Sequence, residues 1–140
     1  MPTLTAQCHC GAAQLTLSTA LRPPINCHCR LCRALSGAAF STWLTVPLEH
    51  CTLPNPAAVR RYAASAHTTR WFCTQCGGHV YSQDQRLPDA LGIPAGALPD
   101  AAVPPPSADY FTQHRAPWHH HQPAPGVAQF GGETGWEAVG

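Results

Sequence analysis

Arg70-Trp71-Phe72-Cys73-Thr74-Gln75-Cys76-Gly77-Gly78-His79-Val80-Tyr81-Ser82 reads as a strand, a thiol-bearing turn and a returning strand. Aromatic and β-branched residues flank the turn, two glycines close it, and a Cys-x-x-Cys turn presents two thiolates to one ion. The stretch predicts a β-hairpin built as a zinc knuckle. Two further cysteine clusters lie upstream, Cys8-His9-Cys10 and Cys27-His28-Cys29-Arg30-Leu31-Cys32. In extended chain the side chains at i and i+2 share a face, so Cys-x-Cys also directs two thiolates to one ion. Two pairs far apart in sequence can close one tetrahedron, whereas the middle cluster brings three thiolates from one local stretch.

Three thiolates leave one tetrahedral position unfilled, and zinc sites that perform chemistry keep such a position for water or substrate. A divalent ion with three thiolates carries one net negative charge, against two with four thiolates. The three-thiolate site therefore still accepts an anionic ligand, with Arg30 and Arg33 nearby. A thiolate-rich ion also suits a sulfur ligand. The alternative is that Cys51, the eighth cysteine, supplies a fourth ligand and both sites are structural.

Composition narrows the function classes. At 140 residues the chain is a small domain whose core gains from metal staples. Charged residues make up 11% and the formal net charge is +1, so there is no basic surface of the kind nucleic-acid binders need. No apolar run is long enough to span a membrane. Met1 to Gln7 has neither a charged nor an apolar leader-like segment, so a reducing, cytoplasmic compartment is expected, where cysteines ligate metal rather than pair. All eight basic residues are arginine. A carbonyl substrate therefore has no lysine to form a Schiff base.

Elsewhere the pattern is β. Strands are expected at Leu15 to Ser18, Phe40 to Val46, Arg61 to Ser65 and Tyr110 to Thr112, with one helical turn or so at Arg30 to Ser36. The prolines and glycines of 87–107 predict turns and short extended pieces. Beyond Trp118 the composition shifts to His, Pro, Gly and Gln, and 119–140 reads as a weakly ordered tail. His9 and His28 lie between ligating cysteines on extended chain and are expected to point away from the metal. His119, His120 and His121 are expected to be solvated, and Trp43, Trp71 and Trp118 to belong to the core.

Taken in order, Cys8-His9-Cys10-Gly11, Cys27-His28-Cys29-Arg30-Leu31-Cys32-Arg33 with Ser36-Gly37-Ala38, and Phe72-Cys73-Thr74-Gln75-Cys76-Gly77 resemble the glutathione-dependent formaldehyde-activating enzyme family, which includes the centromere protein V domain. Gly92 to Asp100 and Arg115-Ala116-Pro117-Trp118 are similar to its downstream half. The resemblance implies an all-β, Mss4-like fold of short stacked antiparallel sheets over 1–118. It implies two Zn2+ ions, one structural on Cys8, Cys10, Cys73 and Cys76 and one functional on Cys27, Cys29 and Cys32. Its activity would be that of a carbon–sulfur lyase on a small thiol–aldehyde adduct such as S-hydroxymethylglutathione, with Arg30 and Arg33 as substrate-binding residues. A non-catalytic zinc module for a protein partner is the alternative. The chain departs from the family's pattern at Asp109, where a histidine is expected, and at Arg115, where a lysine is usual.

Overall fold

The computed structural model describes residues 3–140, so Met1 and Pro2, the start of the expected domain, lie outside the described residues. The protein is all-β apart from one short helix and a few 3₁₀ turns. The chain divides into two compact units, Met1–Arg22 with Leu44–Val103, and Pro23–Trp43 with Pro104–Gly140.

The first unit contains two sheets. Strands β1 (Leu4–Gln7), β2 (Gln14–Leu17) and β5 (Cys51–Thr52) form an antiparallel sheet in that order. The second consists of β4 (Ser41–Pro47, from Leu44 onward in this unit), β9 (Ala90–Pro94), β8 (His79–Asp84), β7 (Thr68–Cys73) and β6 (Val59–Ala63). Alternation turns Ala6, Leu15 and Leu17 of the small sheet and Leu44, Val46, Val80, Leu91 and Ile93 of the larger one into a single core. The hairpin anticipated from the opening stretch is present. β7 and β8 pair antiparallel with a register irregularity between Trp71 and Phe72, beside the cysteine turn. Trp71 stacks on Tyr81 at 4.5 Å and Phe72 on His79 at 4.2 Å.

The second unit orders its strands β12 (Glu137–Ala138), β11 (Ala128–Gly131), β10 (Ala108–Tyr110), β3 (Ile25–Cys27) and the first residues of β4. β10 runs parallel to both β3 and β11, so the stacked sheets are mixed as well as antiparallel. The helix α1 (Arg30–Ser36) starts where Cys29 Sγ accepts from the Cys32 amide. It ends at Gly37, whose φ of 71° lets its N–H reach the Arg33 carbonyl.

Residues 119–140, expected as a weakly ordered tail, include two short strands in the structure. β11 adds to the sheet beside β10 and turns back as β12, with Phe130 stacked on Tyr110 at 4.6 Å and Trp136 edge-on to Tyr110 at 5.1 Å. Isolated aromatics among prolines and glycines show no period. They gain stabilisation only when a distant strand supplies their partners. The strand expected at Tyr110 to Thr112 also stops early. Phe111 adopts left-handed backbone, φ 57° and ψ 43°, and a 3₁₀ turn follows over Thr112–His114.

Candidate functional site

The first thiol group lies within the first unit. The turn after β1 carries Cys8 and Cys10, and the β7–β8 turn carries Cys73 and Cys76. The four Sγ atoms lie within 4.8 Å of one another. Cys8 Sγ to Cys10 Sγ is 3.7 Å and Cys10 Sγ to Cys73 Sγ is 3.6 Å, far beyond a disulfide. Zinc–sulfur bonds of about 2.3 Å at tetrahedral angles place sulfurs about 3.8 Å apart, so the donor set fits zinc. Backbone amides converge on these sulfurs: Ala13 on Cys8, Gln75 and Cys76 on Cys73, and Gly78 on Cys76, at 3.4 to 3.5 Å. The amides of Cys10 and Gly78 lower the Cys76 pKa to about 6, and those of Cys76 and Gln75 lower that of Cys73. The β7–β8 turn thus favours thiolates at Cys73 and Cys76, whereas Cys10, despite the Ala12 backbone bond, is pushed up to about 11 by burial and its thiol neighbours.

The second thiol group lies in the second unit. β3 delivers Cys27, the helix cap is Cys29, and the first turn of α1 adds Cys32, so one local stretch brings three sulfurs within 4.8 Å. Among the described residues no fourth His, Cys, Asp or Glu completes this group. Cys27 and Cys32 are buried against Trp43, with Ile25, Cys29 and Phe111 around them. Hydrogen bonding with Cys29, then with Cys32, and burial push the Cys27 thiol well above its ordinary range. Three thiols crowded in an apolar setting resist joint ionisation, and a cation offsets that resistance. Cys51 stands apart from both groups: its thiol donates to the Pro47 carbonyl at 3.4 Å and it packs against the core of the first unit.

Arg30, Arg33, Ala34 and Gly37 recur at helical spacing on α1 and, with Ala38 and Trp118, line a groove of about 210 Å³. Trp118 is 67% exposed rather than part of the core, because its ring lies over the Arg33 guanidinium at 5.8 Å. Arg33 also donates to the His114 carbonyl at 3.0 Å, which fixes one edge of its guanidinium.

A third cluster occupies the opposite face of β3 and β10. Thr42, Asn26, Asp109 and Gln129 sit at one register across β4, β3, β10 and β11. Thr42 donates to Asn26 at 2.8 Å, and Asn26 and Gln129 donate to the two oxygens of Asp109 at 3.0 and 2.7 Å. His28 and His121 bring Nε2 to the same two oxygens at 3.0 and 3.1 Å. Burial raises the Asp109 pKa, but the hydrogen bonds from Gln129, His28, Asn26 and His121 outweigh it and hold it at about 2. His121 is therefore not solvated as expected. Its place was hidden in the sequence by the Pro- and Gln-rich context, and the departure at Asp109 was the only signal that pointed here.

The fold and donor chemistry define a small all-β protein with a four-thiol group and a three-thiol group, each of which could hold a metal ion. The family model for the glutathione-dependent formaldehyde-activating enzyme matches residues 3–114, and the chain belongs to that family. A Sordaria macrospora protein, provisionally described as a glutathione-dependent formaldehyde-activating enzyme, is 29% identical over 97 residues. The match covers 64% of this chain and 41% of that relative, so the chain spans less than half of its length. The crystal structure of a Rhodobacter sphaeroides protein superposes with a TM-score of 0.58 at 21% identity, covering 69% of this chain and 88% of the other, a likeness of fold. Among the described residues no helix is long and apolar enough to cross a membrane.

Proposed function

We propose that the protein is a zinc-dependent carbon–sulfur lyase-type enzyme interconverting a small thiol and aldehyde with their S-hydroxymethyl adduct, glutathione and formaldehyde being the leading pair. The observation that carries this reading is the three-thiol group of Cys27, Cys29 and Cys32, which has no fourth His, Cys, Asp or Glu among the described residues. Cys8, Cys10, Cys73 and Cys76 would hold a second, structural ion, and family membership supports the substrate class. Zinc at the three-thiol site would supply Lewis acidity, which lowers the pKa of a thiol or polarises an aldehyde oxygen.

In the forward direction the thiol sulfur forms a bond to the aldehyde carbon, and the carbonyl oxygen ends with the proton the thiol gave up. The reverse breaks the same carbon–sulfur bond. Arg30 and Arg33, which line the α1 groove, would pair with the carboxylates of a peptide thiol, and Trp118 would cover its backbone. Orientation of the thiol by these residues supplies the proximity part of catalysis. Free thiols of this number suit a reducing, cytoplasmic setting.

Cobalt substitution tests the reading, because ligand exchange at a three-thiolate site perturbs its absorption bands. Adding glutathione should change the spectrum of the wild type. It should not do so once Cys27, Cys29 and Cys32 are removed together. If only Cys51→Ser responds, Cys51 closes the site in the native protein and a non-catalytic zinc module replaces the enzyme.

A further inference from the structure

We propose that His28, Asp109 and His121 form a third cation site, chemically distinct from the two thiol groups and selective for a borderline divalent ion such as zinc or cobalt. Their ligating atoms lie within 4.8 Å of one another. Asp109 is fully buried and each of its oxygens accepts from an amide, so the imidazole Nε2 atoms at 3.0 and 3.1 Å are donors to the same oxygens. Metal–nitrogen and metal–oxygen bonds of about 2.1 Å at tetrahedral angles place ligand atoms about 3.4 Å apart, close to the 3.0 and 3.1 Å contacts of His28 and His121 with Asp109. An ion would take the place of the two Nε2 protons, each neutral imidazole carrying its proton on Nδ1 instead. No proton need be released.

The surroundings have the form that metal-ligating carboxylates require. Each Asp109 oxygen also accepts from an amide that keeps its bond when the imidazoles turn to metal, Asn26 on Oδ1 and Gln129 on Oδ2. Both amides are fixed in that orientation, because the Thr42 hydroxyl donates to the Asn26 oxygen and Arg115 donates to the Gln129 oxygen. Such outer hydrogen bonds orient first ligands and tune affinity. Phe40 packs its ring 5.0 Å from both imidazoles, which limits water on that side. Two nitrogens and a carboxylate favour borderline ions, whereas the thiol groups favour soft ones. One feature opposes binding: the Arg115 guanidinium lies 3.6 Å from Asp109 Oδ2. Its charge lowers affinity, while its bond to Gln129 supports the site.

His28 and Asp109 lie within the residues that match the family model and His121 beyond them, so the C-terminal segment would supply the third ligand. The test uses full-length protein with its thiol groups filled with zinc, titrated with cobalt alone. One equivalent of cobalt is expected beyond the zinc, giving hyperfine-shifted exchangeable imidazole protons by NMR and no thiolate charge-transfer band. His121→Ala should weaken this binding at least tenfold with zinc content and circular dichroism unchanged. The proposal fails if no cobalt binds beyond the zinc. It also fails if the extra equivalent survives His121→Ala but is lost in the His119→Ala/His120→Ala double variant, the behaviour of an adventitious surface ion only.

Discussion

Asp109 accepts from four side chains at once, and an asparagine there would turn an amide donor against the donors of Asn26 or Gln129. Replacing a buried charge that holds such a network costs about 3 kcal/mol, so Asp109→Asn should lower the urea midpoint markedly. The same residue sets an acid response. Its folded pKa of about 2 lies below the ordinary carboxylate value, so its contribution is complete above about pH 4 and is lost as pH falls through about 2. That contribution is about 2 kcal/mol. His28 acts in the same direction at higher pH. Burial lowers its pKa despite Asp109, so its contribution is complete above about pH 6.5 and fades below as the imidazole protonates. Urea unfolding measured between pH 8 and 2 should show both losses, and Asp109→Asn should show a shallower slope between pH 4 and 2, keeping the part due to Asp84, whose pKa its bond with Arg86 also lowers. An unchanged slope would remove Asp109 from this role.

At the scale of elements, the β11–β12 hairpin clamps the backbone bend at Phe111. The Phe111 amide donates to the Gly135 carbonyl at 3.1 Å, and the ring packs against the three-thiol cluster. A Cβ on Gly135, at φ 88°, would fall 2.1 Å from a Phe111 ring carbon. Gly135→Ala should therefore cost about 2–4 kcal/mol, from left-handed strain plus overpacking. Gly37→Ala is the comparison: at φ 71° nothing lies within 4 Å of its Cβ, so only the strain of about 1 kcal/mol remains. Calorimetry of the two variants separates these contributions, and equal losses would show that the hairpin does not press on Phe111. The helix, the knuckle hairpin and the central strands were legible because their signals are local, in the caps, glycines and β-branched runs. β3, with 3 residues, was too short for a period, β1 (Leu4-Thr5-Ala6-Gln7) offers one large apolar residue only, and β11 and β12 depend on aromatic partners on β10.

For the whole molecule, each compact unit carries its own thiol group, and the two differ in how much chain they tie. Protein purified under reducing conditions without chelator should hold two zinc ions per chain, since seven clustered thiols exceed one tetrahedron. A clean stoichiometry of one would end the two-ion scheme. Cys73→Ala should lose much of the stability, because its group joins segments 63 residues apart and structural zinc contributes folding free energy directly. Cys29→Ala, within a six-residue stretch, should be milder. If Cys29→Ala unfolds the protein and Cys73→Ala leaves it intact, the staple and the functional site are exchanged.

The all-β class, the two thiol groups and the family were determined by the sequence alone, because metal ligation by thiolates needs short fixed spacings that survive without knowledge of the fold. The same local logic placed Arg30 and Arg33 beside the three-thiol stretch, since α1 carries both arginines and Cys32 directly after Cys27 and Cys29. The tertiary structure alone decided the parallel strand order of the second unit, the exposed Trp118 over Arg33, and the separation of Cys51 from both groups. It alone joined Asn26, His28, Asp109, His121 and Gln129, residues up to 103 positions apart, around one carboxylate. A buried carboxylate is stable only where strand register supplies all its donors together, and register between distant strands leaves no mark on the residues in between.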